Sequence, residues 1–317
     1  MDAFYGYFLY AVSLLTMGGL YAILALGLNV QWGFTGLFNA GIAGFFAAGA
    51  YVSAILTTPE SASHLGGFGL PLVVGAAAAV AVAAVLGWAV ARLCVRLRSD
   101  YLAIATLGIA EILRLVFKNE TWATNGPRGI SNIPKAFEGL PEPWNQLAFM
   151  ALVLAVVAVV YLMLERARKS PWGRVMVAIR EDETAARAVG KDVARLRVQG
   201  FVIGAALMGL GGALMAQYIK FMDPKTVDPL LATFIVWVML IAGGSANNRG
   251  AILGAFLIWT IWSATEILTG FLPDEWAVRT AYARIFLIGL ALQVVLQRYP
   301  QGILPERRPG TDRATTR

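Results

Sequence analysis

Glu111, Arg114 and Lys118 follow one another at spacings of three and four in an otherwise apolar run that begins near Tyr101. On a helix these spacings put the three side chains on one face. There a carboxylate and two cations either neutralise one another or line a route for a polar solute, because ionisable groups at membrane depth are costly in any other arrangement. Asn29, Gln31, Asn39, Thr106 and Glu266 are further polar groups in apolar surroundings. Enzyme chemistry has little to work with. His64 is the only histidine and Cys94 the only cysteine, which excludes a multi-histidine metal centre, a disulfide framework and a cysteine-based metal site. No GxxxxGK[ST], HExxH, GxSxG or CxxC occurs, so the chain has no P-loop of its own for ATP. The expectation is no catalytic residue, no metal and no cofactor bound by this chain.

A second concentration of charge runs from Glu165 to Arg197, with nine basic and five acidic residues. Pro171 and Gly173 read as an interruption of one helix. From Arg174 onward apolar and charged residues alternate as in a short amphipathic helix, and Gly190 reads as its stop. An irregular loop of about 30 residues seldom carries such ordered helix signals. The segment therefore reads as a docking surface for another protein, with Arg174, Arg180, Glu181, Asp182, Glu183, Ala186 and Gly190 as its candidate residues.

The elements that position these groups follow from composition. Hydrophobic residues make up 58% of the 317 and charged residues only 14%, against ~45–50% and ~25% in soluble domains. Charge is gathered in a few loops, and apolar runs reach the length that crosses a bilayer. Candidate spans are 9–28, 36–57, 70–91, 101–117, 147–164, 199–219, 230–243, 250–270 and 282–298. Residues 230–243 are short for a crossing, and the polar, Gly-rich Asn29 to Gly36 marks a joint that is either a loop or a broken, re-entrant stretch. The fold class is all-α, a polytopic transmembrane bundle of about 8–10 segments, forming one domain over 1–317.

Arg92, Arg96 and Arg98 flank one loop and the 165–198 segment fills another; both belong on the cytoplasmic side by the positive-inside rule. The tail, 299–317, joins them through Arg307, Arg308, Arg313 and Arg317. Residues 58–69 and 118–146 become outer loops. The N-terminus lies outside if both early segments cross and inside if one is re-entrant. The net charge of +7 marks orientation beside the spans and not nucleic-acid binding; lipid is the surrounding partner. Gly33, Gly36, Gly41 and Gly44 read as one strip for close helix contact, and Gly200 and Gly204 as a GxxxG pair.

Four blocks together resemble the LivM-like permeases of branched-chain amino acid ABC importers over nearly the whole length. The first is Gly27-Leu28-Asn29 with Gly33 through Gly41, Phe45-Phe46 and Gly49-Ala50-Tyr51. The second is Tyr101 through Gly108 with Glu111-Ile112, Arg114, Asn125 through Ile130 and Ile133-Pro134. The third is Ser170 through Arg174 with Ala178 through Glu183, Ala185-Ala186 and Gly190; it is similar to the EAA-type loop of ABC permeases. The fourth is Arg298 through Leu304. The chain departs from the pattern where Ile42 follows Gly41 and in the turn Ser245 through Ala251.

The resemblance implies a permease subunit in a bacterial inner membrane, with a LivH-like sister permease, two cytoplasmic ATPase subunits that hydrolyse the ATP, and a periplasmic substrate-binding protein. It makes the third block the coupling helix. Relatives of such permeases also serve urea, amides, aromatic acids and nucleosides. A secondary transporter driven by an ion gradient is the other reading; it calls for paired ionisable groups near the bilayer midplane and an internal repeat.

Overall fold

The computed structural model describes residues 2–61, 64–270 and 277–306; Arg307, Arg308, Arg313 and Arg317 lie outside them. The described residues fold almost wholly as helix. The first helix, α1 (Asp2–Leu28), passes into a six-residue π-helical turn, Asn29–Phe34. After a connector come α2 (Ile42–Thr57), α3 (Leu72–Cys94), α4 (Ser99–Asn119) and the one-turn α5 (Thr121–Thr124). Next are α6 (Trp144–Lys169), α7 (Pro171–Glu181), α8 (Glu183–Ala188) and α9 (Val193–Ile219), then α10 (Pro229–Gly243), α11 (Asn248–Gly270) and α12 (Ala277–Arg298). Two-residue strands at Ile130–Ser131 and Phe221–Met222 pair antiparallel and clip the loop before α6 to the end of α9.

Every expected span has its helix. Among the described residues five stretches are long and apolar enough to cross a membrane: Phe4–Phe34, Leu72–Cys94, Trp144–Lys169, Val193–Ile219 and Asn248–Ile267. Two shorter apolar helices, Ile42–Thr57 and Ala232–Gly243, stand beside them. The expected span 36–57 starts six residues late, at Ile42, because the chain from Thr35 to Gly41 is non-helical connector. The α6 and α9 helices extend beyond the apolar runs, so the loop read over 165–198 shrinks to α7, α8 and short joints.

Packing fixes the directions. A Cβ added to Gly204 would lie 2.6 Å from the Gly27 carbonyl oxygen, and one on Gly211 would lie 2.7 Å from Leu24. As α9 advances, α1 retreats, so the two are antiparallel. By contrast Phe45 packs edge-on against Phe201, with ring centroids 5.7 Å apart, and Gly49 lies against Gly209, so α2 runs parallel to α9. Both early helices therefore traverse the bundle, and the start of α1 lies on the face opposite α7 and α8. At these crossings small residues let backbones touch, which is how helices gain contact where lipid gives no hydrophobic drive between them.

The α7 helix begins as its sequence dictates. Ser170 caps it by accepting from the Gly173 N–H, and Pro171 occupies the first turn, where its missing N–H costs nothing. The interruption read at Pro171 is thus present, between α6 and α7 at the extended Ser170, while Gly173 lies inside α7. A second break falls at Asp182, whose backbone is extended and whose side chain accepts from the Ala185 N–H at 2.9 Å to cap α8.

Candidate functional site

The π-helical turn that ends α1 is buried except for Trp32. A π-turn widens the helix and departs from the regular ladder, and buried polar side chains gather around it. Asn29 Oδ1 accepts from the Ala246 N–H at 2.7 Å, and its amide donates to Asn248 Oδ1 at 3.0 Å. Asn248 in turn donates to Glu165 at 3.2 Å, and Glu165 accepts from Arg168 at 2.7 Å. One row of polar groups so joins the ends of α1, α11 and α6.

A second row holds the connector. Gln31 donates to the Phe201 carbonyl at 2.8 Å and accepts from Asn39 at 2.8 Å. Asn39 Oδ1 accepts from the Gly41 N–H at 2.7 Å. Trp237 donates to the Asn39 carbonyl at 3.0 Å and stacks on Phe38, with centroids 4.2 Å apart. Thr106 accepts from the Ala40 N–H at 3.0 Å, and Thr233 accepts from the Ala43 N–H at 3.2 Å. The amides of Asn29 and Asn39 and the hydroxyl of Thr106 are thus engaged within the fold. Without them the buried backbone groups of the break would be orphaned, at about 1–3 kcal/mol each.

The α7–α8 unit meets this break directly. Arg180 donates from Nη1 to the Gly33 carbonyl oxygen and from Nη2 to Glu306 at 2.7 Å; its side chain is only 19% exposed. Gly36 takes a left-handed φ of 71° beneath it, and a Cβ there would lie 3.2 Å from Arg180 Cγ. Trp172 donates to Gln199 at 3.0 Å and Arg197 pairs with Glu183 at 2.8 Å. Ile179 and Ala186 bury against Val193, which fastens the unit to α9. Arg174, Glu181 and Arg187 remain on its outward side, and Gly190, at φ 77°, ends it as expected.

The tail reaches the same place. Ile303 and Leu304 donate from their backbone N–H groups to the carbonyls of Ala242 and Gly243, both at 2.9 Å. Asn247 donates to the Leu304 and Pro305 carbonyls at 3.2 and 3.1 Å. Gly302 and Gly244 approach too closely for any side chain, and this clasp presents Glu306 to Arg180.

The remaining candidates sit elsewhere. Arg114 donates to Glu111 at 2.8 Å on α4, a half-exposed pair one turn apart, with Lys118 farther along the helix. Gly41 and Gly44 face Thr106 and Ala110 of α4. Gly200 and Gly204 face Thr35 and Gln31. Gly33 lies in the π-turn against Ala246 and Gly36 in the connector, so the four early glycines do not form one helical strip; the change of helix at the break separates them. Sequence reasoning passed over Asn248, Glu165, Thr233, Trp237 and Glu306. An Asn-Asn pair after Gly243-Gly244 was the available signal for the first of these.

A cavity of about 310 Å³ lies between α1, α2, α9, α10 and α11. Met17, Tyr21, Phe46, Trp259 and Trp262 line it together with Lys225 and Thr226.

Comparison with known proteins agrees with this architecture. The family model described as branched-chain amino acid transport system / permease component matches residues 10–295. The chain is 34% identical to the high-affinity branched-chain amino acid transport system permease protein LivM of Salmonella typhimurium, over 94% of this chain and 71% of that one. It is 26% identical to a probable LivM of Methanocaldococcus jannaschii, over 91% of each. The permease protein LivH of Escherichia coli is 24% identical, over 91% of this chain and 92% of its own. No solved structure matches. A multi-pass helical bundle matched over nearly its whole length in this way belongs to the family of branched-chain amino acid transport system permease components.

Proposed function

We propose that this chain is a permease subunit of an ATP-driven importer for branched-chain, hydrophobic amino acids, set in a bacterial inner membrane beside a LivH-like sister. Two cytoplasmic ATPase subunits hydrolyse ATP, and a periplasmic binding protein delivers the substrate. The α7–α8 unit docks on an ATPase through Arg174, Glu181, Arg187 and their neighbours, and Arg180 carries its displacement into the π-turn. In this reading Asn29, Asn39 and Thr106 keep the break in register beside the passage. Glu111 and Arg114 stand on the α4 face toward the outer mouth, and the apolar cavity accepts the aliphatic side chain.

The single observation that supports this best is the Arg180 bridge from a surface helix to the buried end of α1. A two-state permease needs such a mechanical link, because an external engine shifts its equilibrium only through contacts that differ between the states. The names borne by the relatives, LivM and LivH alike, support the substrate class and the pairing.

The test is reconstitution in liposomes with the candidate sister, ATPase and binding proteins. ATP-dependent uptake of labelled leucine that stops when the ATPase is omitted is the expected result. Leucine accumulation by this chain alone, driven by an ion gradient, would overturn the reading.

A further inference from the structure

We propose that the groove between the end of α3 and the start of α9 is a binding site for an anionic glycerophospholipid. It is an open cavity of about 880 Å³ on the same face of the bundle as α7 and α8. Its polar end carries Arg92 from the last turn of α3, Arg96 just beyond that helix and Arg195 from the first turn of α9. Among the described residues none of these guanidinium groups has a carboxylate within ion-pair distance. Arg92 lies over the Trp88 ring, 5.7 Å from its centroid. The one acidic group in the groove, Asp192, is turned to the backbone and accepts from the Arg195 N–H at 3.0 Å to cap α9. Three cations against one carboxylate leave net positive charge facing the groove.

The groove changes character along its length as a lipid does. Val202 and Ile203 lie seven and eight residues beyond Arg195 on α9, about 12 Å deeper at the helical rise. Their apolar surface is where an acyl chain runs when a headgroup phosphate sits among the arginines. Arginine forks match phosphate oxygens in bidentate fashion, Trp88 stands where aromatic rings mark the membrane interface, and basic pockets on the cytoplasmic side are the ones that meet anionic headgroups. A soluble anion would use the arginines but gain nothing from the apolar floor.

The experiment titrates the delipidated full-length chain in detergent with phosphatidylglycerol and, separately, phosphatidylcholine, counting adducts by native mass spectrometry. One phosphatidylglycerol is expected to bind more tightly than the rest, with phosphatidylcholine failing to replace it and inorganic phosphate failing to displace it. Replacing Arg92, Arg96 and Arg195 together by Gln should weaken that adduct about a hundredfold. Replacing all three by Lys, which keeps the charge, should retain most of it and exposes any loss due to misfolding. Equal affinity of the Gln variant, equal binding of phosphatidylcholine, or displacement by inorganic phosphate at lipid-like concentrations would each overturn the assignment. So would loss of an ATPase partner with lipid binding unchanged, which would make the arginines a protein contact. None of these readings depends on transport.

Discussion

The guanidinium of Arg180 donates to the carbonyl oxygen of Gly33, joining a short surface helix to the buried π-turn across 147 residues of chain. Gly33 has no side chain to receive this contact, so the link is to backbone, and only the shape and charge of Arg180 sustain it. Its second arm, to Glu306, ties α7, the break in α1 and the clasped tail to one another.

Arg180→Gln should therefore uncouple the machine without unfolding it. Losing charge-assisted bonds of this kind costs about 1.5–3 kcal/mol, so we expect ATP hydrolysis to persist in the reconstituted system while leucine uptake falls at least about tenfold. Arg180→Lys keeps one contact at a time and should fall between. The ratio of leucine transported to ATP hydrolysed in proteoliposomes reads this directly.

Asn29→Leu should be worse for stability than its size suggests. The Asn29 amide serves the Ala246 N–H and Asn248, and the loss orphans both at full burial. About 2–5 kcal/mol of destabilisation is expected from two unsatisfied groups, seen as a lower midpoint in a fluorescence-detected thermal melt in detergent. Arg114→Gln, which breaks a half-exposed pair, should cost about 1 kcal/mol or less and leave the same midpoint nearly in place.

Gly49→Val should block the crossing of α2 and α9. Its side chain would drive into the backbone of Gly209, and helices cannot part without losing the packing on both sides. Overpacking of this kind costs about 1–3 kcal/mol or more. Gly139→Val, in the loop before α6 with open space around it, is the matched control and should leave the melt unchanged.

The clip between the loop before α6 and the end of α9 should weaken in acid. Lys220 donates to Glu138, and this bond holds the Glu138 carboxyl below its usual range. A lowered folded-state value stabilises above the ordinary glutamate value of about 4.3 and is lost as pH falls through the lowered one. The protection of Ile133, whose N–H donates to the Lys220 carbonyl, taken as its exchange rate relative to the intrinsic rate at each pH, should fall over that acid range in the wild type. In Glu138→Gln that protection should already be reduced at neutral pH.

Much of this was legible in the residues themselves. Hydropathy located the helices, because each crossing needs its own apolar run. The spacing of Glu111 and Arg114 foretold their ion pair, and charge alternation marked α7 and α8. What escaped was long-range pairing. Asn29 meets Asn248 across 219 residues and Arg180 meets Glu306 across 126, and nothing local in either segment names its partner. The π-turn is of the same kind: it exists because Ala246, Asn248, Phe201 and Arg180 supply partners for a widened helix end. For that reason the early glycines looked like one strip when they belong to three different environments.

The central claim is that work enters this permease through α7 and α8. The most direct measurement replaces Arg180 to Glu183 with Gly and Ser in the reconstituted complex and follows ATP hydrolysis and leucine uptake together, with the thermal melt confirming the fold. The account predicts that uptake is abolished while ATP hydrolysis loses its dependence on substrate. Uptake that remains fully coupled to hydrolysis after the replacement would contradict it.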